Sequence, residues 1–152
     1  MPLNHLQIPP WLWLAVVVAV FAIAWWRGGR DARTAAGALL AASLLTRLAY
    51  AYEGQMGWGV ALVDAGLLAV LVWVALRSPR WWPLFAAGFH LLAVVTHLAK
   101  LVDSQVSAWA YVTAGVIWGY LLALSIGFGA WRERAQSAID ADPMDTPGAT
   151  RR

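Results

Sequence analysis

The chain has 152 residues, 61% of them hydrophobic and 12% charged, with a net charge of +3. A soluble domain is roughly 45–50% apolar and about 25% charged, so this is the composition of a membrane protein and not of a water-soluble one. The absence of cysteine excludes disulfides, thiolate zinc sites and cysteine nucleophiles.

A basic balance can signal nucleic acid. Here nine of the eleven Lys and Arg residues are arginines that flank apolar runs on one side. Topology explains that placement better than a binding patch, so no nucleic-acid partner is expected.

A bilayer core about 30 Å thick needs roughly 20 apolar residues in a helix. Five runs reach or approach that length: 11–26, 34–52, 57–76, 81–102 and 108–131. The predicted fold is all-α, an integral membrane five-helix bundle preceded by a short outside arm at 1–10. The second run is the least apolar, with Ser43, Thr46 and Arg47 inside it. Arginine placement supports it. Arg27, Arg30 and Arg33 follow the first run, Arg77 and Arg80 the third, and Arg132, Arg134, Arg151 and Arg152 the fifth. The other two connections carry neither Lys nor Arg. By the positive-inside rule the N-terminus lies outside and the C-terminus in the cytoplasm. A bacterial-type inner (plasma) membrane, crossed several times, is the expected location.

The first run is expected to be an uncleaved anchor. Ala22-Ile23-Ala24 mimics a cleavage site, but the arginines come after the apolar run, the reverse of a signal peptide. Tryptophan is enriched at membrane interfaces. Trp11, Trp13, Trp58 and Trp109 are predicted to anchor the outer ends, and Trp25, Trp26, Trp73, Trp81, Trp82 and Trp131 the inner ends. Trp118 falls mid-span and is expected to face protein. The stretch 132–152 reads as a cytoplasmic tail, helical to about Ala138, then acidic, proline-containing and disordered.

Polar side chains within the spans are the candidate functional residues, because charge at a helix centre costs about 2.5–3.5 kcal/mol. Counting helical rise from each span's midpoint, Arg47 lies roughly 6 Å, Asp64 about 4 Å and His97 about 8 Å to the outer side. His90 falls near the midplane and Lys100 near the outer surface, with Glu53 and Asp103 above. Arg47 and Asp64, on spans joined by a short loop, are expected to pair, either as a structural clamp or as part of a proton, ion or ligand site.

His90 and His97 share a helix face but stand roughly 10 Å apart along it, too far to bind one metal or haem iron within a single chain. No metal site is predicted. Gly37–Ala41 and Gly115–Gly119 have the small-xxx-small spacing that permits close helix approach. Tyr111, Gly115, Trp118, Leu122 and Ser125 lie along one face of the last span, expected to turn toward the fourth. Nucleophile elbow, His-Glu-x-x-His and phosphate loop are all missing, so no catalytic residue is assigned and an enzyme is not expected.

The Arg-Trp-Trp-Pro start of the fourth span, the His-x6-His pair and the aromatic start of the last span fall within Val63 to Leu124. That stretch resembles the small multi-span inner-membrane proteins of bacterial genomes, uncharacterised products without an established activity. The resemblance implies the location and carries over no site residue. The leading expectation is a non-enzymatic accessory or scaffold module acting through helix contacts with a membrane protein partner or as a homo-oligomer. The alternatives are a small oligomeric channel or proton-linked transporter, and a haem-binding electron-transfer subunit. The bilayer is the partner common to all three, and no cofactor is expected outside the haem alternative.

Overall fold

In the computed structural model the described residues are 10–53, 58–102 and 107–140, and they are all-helical. Five helices follow one another: α1 Pro10–Arg27, α2 Arg30–Glu53, α3 Trp58–Arg77, α4 Trp82–Val102 and α5 Ala108–Asp140. The predicted arm before Pro10 and the tail beyond Asp140 lie outside the described residues.

Four helices contain segments long and apolar enough to cross a membrane: Arg30–Ala51, Gly59–Arg77, Trp82–Ala99 and Trp109–Glu133. The second run, least apolar by sequence, is among them. α1 is apolar but shorter, over Trp11–Arg27.

Local chemistry sets the boundaries. Two glycines separate α1 from α2, with the Gly28 amide closing the last turn of α1 on the Ala24 carbonyl at 2.9 Å. Pro79 has no amide to continue α3. Pro83 sits in the first turn of α4, where a missing amide costs nothing. Ser107 caps α5, its hydroxyl accepting from the Ala110 amide at 3.2 Å.

Each helix packs on its sequence neighbours, and α1 also packs on α5, which closes the ring; α2 touches α5 across it. Trp13 lies against Gly119, Val20 against Gly127, and Gly29 against Glu133. The sequence offset is nearly constant, so α1 and α5 run parallel. In that register Pro10 stands level with about residue 116, so α1 stops roughly 12 Å short of the start of α5.

The core is concentrated at the end where the arginines gather. Ala32, Ala35, Ala36, Leu39 and Ala42 form the buried stripe of α2, at helical spacing. They meet Val17, Val20 and Ala24 of α1, Leu67 and Leu71 of α3, Ala86 and Ala87 of α4, and Leu122, Ala123, Ile126 and Ala130 of α5. Small residues let the backbones approach closely. Among the described residues, none is buried past Ala42 in α2, past His90 in α4, or before Leu122 in α5. Val60 of α3 is the buried exception in that half. The arginine end is tightly packed, and the opposite half is loose.

Candidate functional site

Asp64, His97 and Tyr111 meet in the loose half, one from each of α3, α4 and α5. Counting from the α3–α4 turn, Asp64 lies about 20 Å and His97 about 22 Å along its helix, so the antiparallel pair brings them to one level. His97 Nε2 is 3.0 Å from Asp64 Oδ2. The Tyr111 hydroxyl is hydrogen-bonded to His97 Nδ1 at 2.5 Å, and the two rings meet edge to face. His90, 5% exposed, donates from Nε2 to the Asp64 backbone carbonyl at 3.0 Å. Tyr50 of α2 stands close enough to interact electrostatically with Asp64 and Tyr111.

The His97–Asp64 contact is close but not aligned as a hydrogen bond. Oδ2 of Asp64 is shielded from solvent and receives no hydrogen bond, so its near neighbour is the imidazole edge. A buried carboxylate oxygen without a donor is costly, and a proton on the imidazole or on the carboxyl relieves that cost.

The sequence expected Asp64 to pair with Arg47, and the structure corrects this. The side-chain partner of the Asp64 carboxylate among the described residues is His97, while Arg47 is an exposed residue of α2. Helical rise had put Asp64 and His97 in one layer, and it is His97 that the Asp64 carboxylate meets. This contact joins α4 to α3. His90 joins the cluster through the Asp64 backbone. The side chain of Lys100 lies outside the described residues, as do those of Glu53 and Asp103.

The tryptophans divide. Trp11, Trp25, Trp26, Trp81, Trp109 and Trp131 are exposed, as anchors should be. Trp58 lies outside the described side chains. Trp82 is not an anchor: it is 3% exposed and lies flat on Gly129, where an added Cβ would stand 2.4 Å from Cδ2 of the ring. Trp13 is half-buried, edge-on to Tyr120 with ring centroids 5.5 Å apart and against Gly119. The α1–α5 register puts both Trp11 and Trp13 well below the far end of α5. Trp118 is half-buried, in keeping with a ring turned toward protein.

A second polar cluster, unforeseen in the sequence, ties the arginine end together. Glu133 of α5, 5% exposed, accepts a hydrogen bond from the Gly29 amide. It thereby caps the start of α2 from another helix. Arg80 reaches Glu133 at 3.5 Å and Asp31 at 3.4 Å. A lone glutamate among arginines just past the last apolar run is the signal that would have found it.

Among the described residues, no group of three or more His, Asp or Glu side chains is placed to hold a metal ion. Neither a protein-family model, nor a curated protein, nor a solved structure matches the chain.

Proposed function

We propose that the chain is a multi-pass inner-membrane protein, N-terminus outside and C-terminus cytoplasmic, in which Asp64, His97 and Tyr111 form the proton-accepting site of a small proton-linked transporter or channel. The observation that carries the functional part is the unbroken contact from the Tyr111 hydroxyl through both ring nitrogens of His97 to the shielded Oδ2 of Asp64. Ionisable groups within membrane spans mark ion and proton pathways.

The steps follow from the atoms in place. Neutral His97 with its proton on Nε2 accepts the Tyr111 hydroxyl hydrogen bond at Nδ1. A proton delivered to Nδ1 makes an imidazolium, balanced by Asp64. Loss of the Nε2 proton to Oδ2 leaves a neutral imidazole and a protonated carboxyl. One proton has then crossed the ring. Loose packing around this level gives solutes or water a way in, while the tight core at the other end forms the barrier that must open in a cycle.

The topology is supported by the arginines gathered at one end, several laid on aromatic rings. Trp11–Arg27 spans roughly 25 Å at helical rise, a length that tilt or local thinning accommodates.

The test is an acid jump on liposomes holding purified protein, with a pH-sensitive dye inside. Flux is expected in the wild type and in Arg47→Gln, and lost in Asp64→Asn and His97→Gln. Equal flux in wild type and Asp64→Asn, or none in wild type, overturns the assignment.

The accessory reading rests on a different observation, the short α1. Among the described residues it leaves the loose halves of α2 and α5 uncovered by α1 at the level of Asp64, where a partner's helix or a second copy fits. Co-purification of a stoichiometric protein in mild detergent supports it. Haem ligation fits less well at His97, whose two ring nitrogens face the Tyr111 hydroxyl and the Asp64 carboxylate. A Soret band in the purified protein would restore it.

A further inference from the structure

A cleft of about 260 Å³ opens at the arginine end, lined by Trp26, Arg27, Gly29, Arg33, Arg80 and Glu133 among others. We infer that this cleft binds a phosphodiester-type anion, gripped by Arg27 and Arg33. It lies at the opposite end of the bundle from the Asp64 site and does not depend on the proposed transport role.

Charge is the first support. Arg80 is engaged with both Asp31 and Glu133. The lining itself holds three arginines and one carboxylate, Glu133, so positive charge is in surplus there, as a phosphodiester anion requires. Glu133 does not repel the anion as a bare carboxylate would, since the Gly29 amide and Arg80 already hold it.

Presentation is the second. The Arg27 guanidinium lies over the Trp131 ring, 4.1 Å from its centroid, and that of Arg33 lies over Trp25 at 5.6 Å. A cation–π contact uses no N–H donor in a hydrogen bond to a carboxylate, so the guanidinium fork stays available for two phosphate oxygens. Ring contacts also restrict these side chains before a ligand arrives, so less freedom is lost on binding.

Size is the third. Pockets for drug-sized ligands run about 300–1,000 Å³, so this cleft suits a headgroup and not a larger molecule. Exposed Trp26 lines it, and exposed Trp131 and Trp25 lie against Arg27 and Arg33, rings that favour the water–lipid boundary. Basic pockets at such a boundary take anionic lipid headgroups, and a soluble phosphate compound offers the same chemistry.

The full chain, delipidated in mild detergent, is titrated with phosphatidylglycerol, with phosphatidylcholine and with inorganic phosphate. Binding is read by native mass spectrometry and tryptophan fluorescence. Saturable phosphatidylglycerol binding is expected, with phosphatidylcholine at least tenfold weaker. Arg27→Gln/Arg33→Gln should weaken binding about 30-fold and either single change about fivefold. Arg132→Gln, outside the cleft lining, should leave it unchanged. If inorganic phosphate displaces the lipid at millimolar concentration, the site stands and its ligand is soluble. If it does not, the site stands as a lipid site. Equal binding of both lipids, or binding unaffected by the arginine changes, overturns the assignment. Should the double variant fail to elute as a folded species, Arg33→Gln alone carries the test.

Discussion

Replacing Gly129 by alanine adds one carbon where α5 crosses the Trp82 ring. That carbon would stand 2.4, 2.6 and 2.7 Å from Cδ2, Cγ and Cε2. All three are ring atoms of a side chain 3% exposed, and the adjacent Pro83 is also buried, so the indole cannot swing aside cheaply. Overpacking of this kind costs typically 1–3 kcal/mol. Against it stands the better helix propensity of alanine, at most about 1 kcal/mol. With three ring atoms inside 3 Å the cost falls in the upper part of that range, so the clash wins by about 1–2 kcal/mol, and Gly129→Ala should lower the melting temperature by several degrees in mild detergent. Gly115→Ala is the control. It lies on the same helix with nothing within 4 Å of its added carbon, so it keeps the propensity gain and should melt at or above wild type. In a Trp82→Ala background the cost of Gly129→Ala should disappear, as the double-mutant cycle requires for a direct clash. Equal melting of the two alanine variants, or a cost that survives removal of Trp82, would refute the packing described for this crossing.

The remaining predictions use the same melting assay. Glu133→Ala strips the cap from Gly29 and removes one of the two carboxylates that hold Arg80, and should cost about 1.5–3 kcal/mol, the range for hydrogen bonds to charged groups. Glu133→Gln keeps an acceptor for the Gly29 amide and should cost less, so equal losses would remove the capping role. Tyr111→Phe deletes the hydroxyl bound to His97 and should cost about 0.5–1.5 kcal/mol. It should leave phosphatidylglycerol binding at the arginine end untouched, because the clusters lie at opposite ends; a change there would contradict their independence.

Helix number was readable because apolar runs of span length are unambiguous and arginines punctuate them. Level was readable too: helical rise alone placed Asp64 and His97 in one layer. Rotation was not. An apolar helix surrounded by apolar residues carries no polar face to fix its angle, so choosing between Arg47 and His97 as the partner of Asp64 needed the packed bundle. Trp82 was misplaced for a related reason. Its sequence position is that of an interfacial ring, and what buries it is a glycine on another helix. Gly115 and Gly37 match the small-xxx-small spacing yet meet nothing, while Gly129, outside those pairs, makes the tightest approach. Glu133 was read as part of a charged tail because its partners lie far back in the chain, at Gly29 and Arg80.

The parallel seam between α1 and α5 has a consequence for how the molecule is made. The ribosome delivers α1 first of the five and α5 last, so the earliest helix waits through the whole of translation for its mate. A product truncated before Ala108 leaves Val17, Val20 and Ala24 bare on one flank and the Trp82 indole bare on another, with no carboxylate to seat on Gly29. Incomplete molecules thus differ from finished ones by an open circle, a defect that membrane quality-control proteases can grip.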